Sequence, residues 1–229
     1  MAGAAQGKRS KSKVVVDDPQ SLSKVLLSLL HAKSSTRPEV ARVTGLGRAI
    51  VAKHVDIALE LKLINEENFG SSTGGRVPRL LEFNKDSGFF LVAELGATGM
   101  TIARTDLLGN TSEVIEMAID ISVGPEKVLA ELEKVFDRIA AKESVPLWAV
   151  GLGLPGPVEF ATGVLMSPPI MPGWDKYALR DRIEKKYHVP VWIDNDVNLM
   201  ALGEAALNVD AKHSELLFIK IGTGIGAGI

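Results

Sequence analysis

Apolar positions recur with a helical period in the early part of the chain and with a strand period after it. Following Asp18-Pro19, the residues Leu22, Val25, Leu26, Leu29 and Leu30 fall on one face of a predicted helix. Ser35-Thr36-Arg37-Pro38-Glu39 predicts the start of a second. Thr36 and Glu39 have capping-box spacing, and Pro38 falls in the first turn, where its missing N–H costs nothing. That helix stops at Thr44-Gly45. Beyond the Gly45-Leu46-Gly47 turn a third helix runs from 48 to about 61, with Val51, Val55, Ala58 and Leu59 inward. Two strands follow, 63–64 and 80–83, flanking the polar, glycine-rich stretch 68–76. Short helix, glycine turn, second helix and strand pair give the pattern of an α+β winged helix-turn-helix.

After Lys85-Asp86-Ser87-Gly88 the pattern turns to strands. Strands are predicted over 89–95, 100–105 and 113–119, with Asp106-Leu107-Leu108-Gly109-Asn110 as a hairpin turn. Residues 125–142 form an amphipathic helix with Val128, Leu129, Leu132, Val135, Phe136 and Ile139 on one side. A buried strand over 147–154 ends in the rigid Gly153-Leu154-Pro155-Gly156-Pro157 turn. A further strand, 189–193, delivers Asp194-Asn195-Asp196 at its carboxyl tip, and 199–207 is a run of good helix formers. The organisation expected is a disordered basic tail over 1–18, the winged helix-turn-helix over 19–84, and an α/β domain over 85–229.

Composition narrows this picture only modestly. The 229 residues carry a net charge of -2, 22 glycines and no cysteine, so disulfides and thiolate metal sites are excluded within them. No apolar run approaches a membrane span, and no apolar core follows Lys8, Arg9, Lys11 and Lys13 as a signal peptide would require. A cytoplasmic protein with no membrane partner is expected. Charge is divided unevenly: residues 1–84 hold 13 Lys+Arg against 8 Asp+Glu, a net +5, and the remainder holds 13 against 20, a net -7. A basic first part suggests a polyanion partner, although a solvated basic tail accounts for much of the excess.

Double-stranded DNA is the partner that this helix pattern suggests. The third helix would enter the major groove, presenting Arg48, Ala49, Ala52 and Lys53, with Ile50 and His54 at the margin. Arg48 suits a guanine edge or a phosphate, and Ala49 or Ile50 a thymine methyl. Lys53 and Arg42 suit phosphates, which position without specifying sequence. Arg76, between Gly75 and Val77-Pro78, is a tip cation suited to a minor groove. The competing reading is a small helical domain that binds protein, with ordinary surface cations.

In the second part, strand tips of an open α/β sheet face ligands. Asp194, Asn195 and Asp196 would therefore line a pocket for a polyhydroxylated ligand, with a helix cap and turn as the plainer reading. Three strands, a helix, a further strand and a strand-tip acid match an actin-like, ribonuclease-H-like ATPase lobe. Four motifs then occur in a family order: Gly151-Leu152-Gly153-Leu154-Pro155-Gly156-Pro157; Ser167-Pro168 with Pro172-Gly173-Trp174; Asp194-Asn195-Asp196-Val197-Asn198 with Ala201-Leu202-Gly203-Glu204; and Gly222-Thr223-Gly224-Ile225-Gly226-Ala227-Gly228. With the winged helix and the Gly74-Gly75-Arg76 tip, the chain over about 20–229 resembles the ROK family of repressors, open reading frames and sugar kinases.

The resemblance implies a sugar-responsive transcriptional regulator, acting as a repressor, whose effector is a sugar or sugar phosphate. Gly156, Asn195 and Asp196 would be its sugar contacts. In the family's kinases the acid matching Asp196 takes the proton of the attacking sugar hydroxyl. Gly96 and Thr98 in a first loop, and Gly222, Thr223 and Gly224 in a second, match phosphate loops. Against catalysis, family kinases carry Asp-x-Gly-Gly-Thr-Lys in the first loop where this sequence reads Glu94-Leu95-Gly96-Ala97-Thr98-Gly99. The Ala97 methyl obstructs close backbone approach to phosphate, and the lysine is lost. Pro169 also stands where the family commonly has Asn. No resident cofactor or metal is expected; ATP and Mg²⁺ enter only if the alternative, a sugar kinase retaining a DNA-binding head, holds. Family chains continue beyond the equivalent of Ile229 into a second lobe with a cysteine-rich zinc motif that these residues do not contain. The resemblance thus implies a C-terminally truncated chain, with the second lobe only begun, and a homodimer if full length.

Overall fold

A computed structural model describes residues 16–32, 34–68, 79–207, 216–222 and 224–229. The chain divides into two compact units, Met1–Ser87 and Gly88–Ile229.

In the first unit, α1 (Pro19–His31) is capped by Asp18, whose side chain accepts the Ser21 amide at 3.0 Å. The predicted capping box opens α2 (Arg37–Thr44): the Thr36 amide donates to Glu39 Oε2 at 2.8 Å while the Glu39 amide returns to the Thr36 hydroxyl. Gly45 ends α2 in the left-handed region, φ +70°, where a side chain would be strained, and this aims the chain into α3 (Arg48–Glu60). The strands β1 (Ile64–Asn68) and β2 (Arg79–Phe83) pair antiparallel, Ile64 opposite Phe83. β1 runs on to Asn68, beyond the predicted 63–64, through its ladder with β2, and Glu66 within it pairs with Arg37 at 3.2 Å and Arg79 at 2.9 Å. Val25, Leu29, Val40, Val51, Val55, Ala58, Ile64 and Leu81 form the buried core. Leu30, expected inward, is exposed, and Leu59 only packs against the core's rim. Arg76 and the predicted tip around it lie outside the described residues.

The second unit is built on a five-stranded sheet in the order β5-β4-β3-β6-β9. Its strands are β3 (Phe89–Leu95), β4 (Gly99–Thr105), β5 (Thr111–Ala118), β6 (Leu147–Leu154) and β9 (Val191–Asn195). β3, β4 and β5 run antiparallel in sequence, whereas β6 and β9 lie parallel to β3. The crossover from β5 to β6 is α4 (Pro125–Ala140), whose predicted apolar side is buried in full. Between β6 and β9 run a small hairpin of β7 (Val158–Glu159) and β8 (Val164–Leu165) and a helix, α5 (Leu179–Tyr187), for which the sequence pattern gave no expectation. After β9 come α6 (Asp196–Leu207) and a separate antiparallel pair, β10 (Phe218–Ile221) and β11 (Ile225–Gly228). α6 begins three residues earlier than the predicted run, because Asn195 supplies its cap. Asp196 and Asn198 are consequently helical. Among the described residues no helix is long and apolar enough to cross a membrane.

Candidate functional site

On the first unit, the exposed side of α3 carries Arg48, Ala49, Ile50 and Lys53, and Arg42 on α2 is exposed as well. Ala52 is half-buried. His54 is not at the margin: it is 1% exposed, one turn from Val51 and beside Val55 in the core, with Nε2 3.8 Å from Asp18 Oδ2. The expectation that His54 faces DNA is therefore corrected. Helical spacing places residue 54 with 51, 55 and 58 on the packed face. Its Nδ1 is buried and has no hydrogen-bond partner among the described residues. Lys53 is paired with Asp17 at 2.6 Å, both side chains more than half exposed.

On the second unit, the parallel strands β6 and β9 set Gly153 opposite Asp194 and Leu154 opposite Asn195, so both loops open at one sheet edge. The acid-amide-acid cluster spends most of its polar capacity on local backbone. Asn195 Oδ1 accepts the Val197 amide at 3.0 Å and the Asn198 amide at 3.4 Å, which caps α6. Its Nδ2 donates to the carbonyls of Gly156 at 3.0 Å and Leu154 at 3.4 Å, tying the glycine-proline turn to the helix start. Asp194 Oδ1 accepts the Asn195 amide and the Asn198 side-chain amide. Gly156 is a packing glycine: a Cβ there would stand 2.9 Å from Pro168 Cβ.

Asp196 is buried, 6% exposed, rather than displayed on an open pocket floor. Oδ1 accepts the Val197 amide at 2.8 Å, and Oδ2 accepts the ammonium of Lys220 at 2.7 Å. The same ammonium reaches Glu94 Oε1 at 2.9 Å. Partial burial pulls the Lys220 ammonium downward, but its bonds to the two carboxylates outweigh this and hold it above the usual lysine range. Lys220 was not foreseen as part of the site. The available signal was a lone cation alternating with Phe218, Ile219 and Ile221 in a short apolar strand.

The two glycine loops are closed on themselves. Gly96 donates its amide to the Gly99 carbonyl at 2.7 Å, and the Ala97 and Thr98 carbonyls accept from Ile121 and Ile119. Gly222 likewise donates to Gly224 at 2.9 Å. Gly96 and Gly222 thus spend their own amides on closing tight hairpin turns. Thr223 lies outside the described residues. Gly226 and Gly228, by contrast, are needed for contact. Added Cβ atoms would meet Val197 Cγ2 at 2.6 Å and the Val197 carbonyl at 2.4 Å. A depression of about 310 Å³ at the β4–β5 edge, lined by Gly99, Met100, Thr101, Glu116, Met117 and Ala118, includes none of the predicted sugar contacts.

Known proteins resemble the chain along most of its length. The xylose repressor of Caldicellulosiruptor bescii is 30% identical over 211 residues, covering 90% of this chain and 52% of the relative. The chain thus spans about half the length of the curated relatives it matches. Among solved structures, a ROK family transcriptional regulator homologous to the E. coli MLC protein superposes with a TM-score of 0.74 at 24% identity, over 90% of this chain and 53% of that one. A ROK family glucokinase from Streptomyces griseus, solved with glucose and AMPPNP, matches at 25% identity and a TM-score of 0.51, over 61% of this chain and 43% of that one. These likenesses establish the actin-like fold of the second unit. Residues 91–229 match the ROK family as such, and the chain belongs to it.

Proposed function

We propose that the protein is a sugar-responsive transcriptional repressor: its first unit is a winged helix-turn-helix that binds operator DNA, and its second senses a sugar or sugar phosphate. The observation that carries this reading is the α2–Gly45–α3 unit with Arg48, Ala49, Ile50 and Lys53 turned to solvent, in a chain similar over nine-tenths of its length to xylose repressors. Arg48 reads a guanine or a phosphate, Ala49 and Ile50 meet thymine methyls, and Arg42 and Lys53 hold the backbone. The Lys53–Asp17 pair is solvent-exposed and worth little, so a phosphate can displace Asp17. Two copies would place two such heads on a two-fold site. The effector acts by preferring one arrangement of the protein over another. Asp196 remains its anchor: among the described residues each carboxylate oxygen accepts one hydrogen bond, and a carboxylate oxygen has acceptor capacity beyond that for a ligand hydroxyl. No resident cofactor enters this reading.

Fluorescence anisotropy on DNA from upstream of the protein's own gene tests the first half. Arg48→Ala should weaken binding by roughly 10-fold or more, in line with about 1–3 kcal/mol for a base-edge arginine. Indifference to that change would remove α3 as the reading helix. Calorimetry with D-xylose, D-glucose and their phosphates tests the second half, and no heat from any of them would sink the effector role.

A sugar kinase is the second reading, favoured by the likeness to glucokinases. It predicts Mg-ATP-dependent phosphorylation of a hexose that Asp196→Asn abolishes. The engagement of Asp196 by Lys220 and the closed Gly96 and Gly222 turns argue against it. A hexose panel without turnover disposes of it.

A further inference from the structure

The contact that the proposed function does not use is the lysine shared by two carboxylates. Glu94 is the penultimate residue of β3, Asp196 begins α6, and Lys220 lies on β10, more than a hundred positions from Glu94. We infer that Lys220 is a positioning residue for the sugar site, aiming the Asp196 carboxylate by pairing with it and with Glu94 at once. The inference rests on the reading of Asp196 as a sugar contact.

The physical case has three parts. First, a carboxylate as buried as Asp196 loses its water, and a buried charge is costly unless it is paired. Among the described residues, its partners are the Val197 amide and the Lys220 ammonium, and only the second carries a charge. Second, Glu94 shares the same ammonium, so the two acids are near enough to repel one another once the cation is removed. The other acid of the cluster, Asp194, is turned toward the Asn195 amide and the Asn198 side chain. Third, Lys220 cannot drift. β11, its hairpin partner, is seated on α6 at Gly226 and Gly228, and Lys220 itself stands opposite Gly226. A sugar hydroxyl arriving at Asp196 thus finds an acceptor already oriented, which lowers the cost of binding.

The test is a double-mutant cycle on the full chain, read by calorimetry with whichever of D-xylose, D-glucose and their phosphates the wild type binds most tightly. Lys220→Met should weaken that sugar at least 10-fold. Glu94→Gln alone should change affinity less than 3-fold, and Lys220→Met combined with Glu94→Gln should recover most of the loss, because the repelling charge is gone. Lys220→Arg, which keeps the cation, should stay within about 5-fold of wild type. Should Lys220→Met and Glu94→Gln act additively, or Lys220→Met bind as well as wild type, the positioning role is overturned and Asp196 as a sugar contact is untouched. Should the wild type bind none of the four, the effector reading falls and takes this role with it. Far-UV circular dichroism of each variant separates loss of the site from loss of the fold. If Lys220→Met unfolds, the Lys220→Arg and Glu94→Gln arms still decide the matter: a Lys220→Arg protein that is folded yet binds more than 10-fold weaker contradicts a role carried by charge.

Discussion

One methyl group is enough to probe how β11 meets α6. A Cβ at residue 226 would press into the Val197 side chain and one at 228 into the Val197 carbonyl, whereas at 224 it meets nothing within 4 Å. Gly228→Ala should therefore cost about 1–3 kcal/mol, because backbone cannot rotate away, and Gly226→Ala less than that. Gly224→Ala should be close to neutral. Thermal denaturation of the three variants checks the ranking, and equal losses at 224 and 228 would contradict the packing. At this scale the sequence was informative about identity and poor about direction. Asp194, Asn195 and Asp196 were recognisable as a cluster at a strand tip, but not that Asn195 spends both ends of its amide on backbone. Lys220 was invisible for a different reason: its partners are distant along the chain, and a lysine in a strand looks like any solvent-facing position. At His54 polarity points to solvent, whereas its helical spacing to Val51 and Val55 puts it in the core.

Local elements were read more faithfully when their signals were local. The Thr36–Glu39 capping box, the stop at Gly45 and the apolar side of α4 need only neighbouring residues, and all three stand in the structure. Thr36→Ala should lose about 1 kcal/mol of stability, measured by denaturant unfolding. The same box has a pH signature. Bonds from the Thr36 amide and hydroxyl hold the Glu39 carboxyl below the ordinary glutamate range. Its contribution is therefore present above the unfolded value and is lost as pH falls through the lower, folded one. Comparing wild type with Glu39→Gln in melts at pH 7 and pH 3 should show a gap that narrows at the acid end. α5 escaped the reading because only Leu179 and Ile183 of it are buried. Long-range ion pairs add to their packing, Arg182 with Glu133 and Glu126 at 2.7 Å and Lys186 with Asp137 at 2.8 Å, which no periodicity announces.

For the whole molecule, two separate cores account for two units. Each core is closed within its own residues, so a fragment of residues 16–87 should melt cooperatively by itself. A broad, non-cooperative melt would show that the first unit depends on the second. The surface of the second unit has an opposite tendency. Leu202 and Leu207 on α6, and Ile219, Ile221 and Ile225 on the β10–β11 pair, are each more than half exposed. Apolar area of this kind beside a two-stranded pair promotes self-association. Sedimentation velocity should show mass rising with concentration, and Ile221→Lys with Ile225→Lys should suppress it. Unchanged sedimentation in that double variant would point elsewhere.

The spacing of Gly226 and Gly228 along β11 has one more effect. Side chains of a strand alternate, so a slip of β11 by a single residue would bring Ala227 and Ile225 down onto Val197, where there is no room for them. Helix α6 therefore acts as a gauge that accepts one alignment of the hairpin and rejects its neighbours. Two missing methyl groups, rather than any attraction, decide where a terminal pair of strands comes to rest.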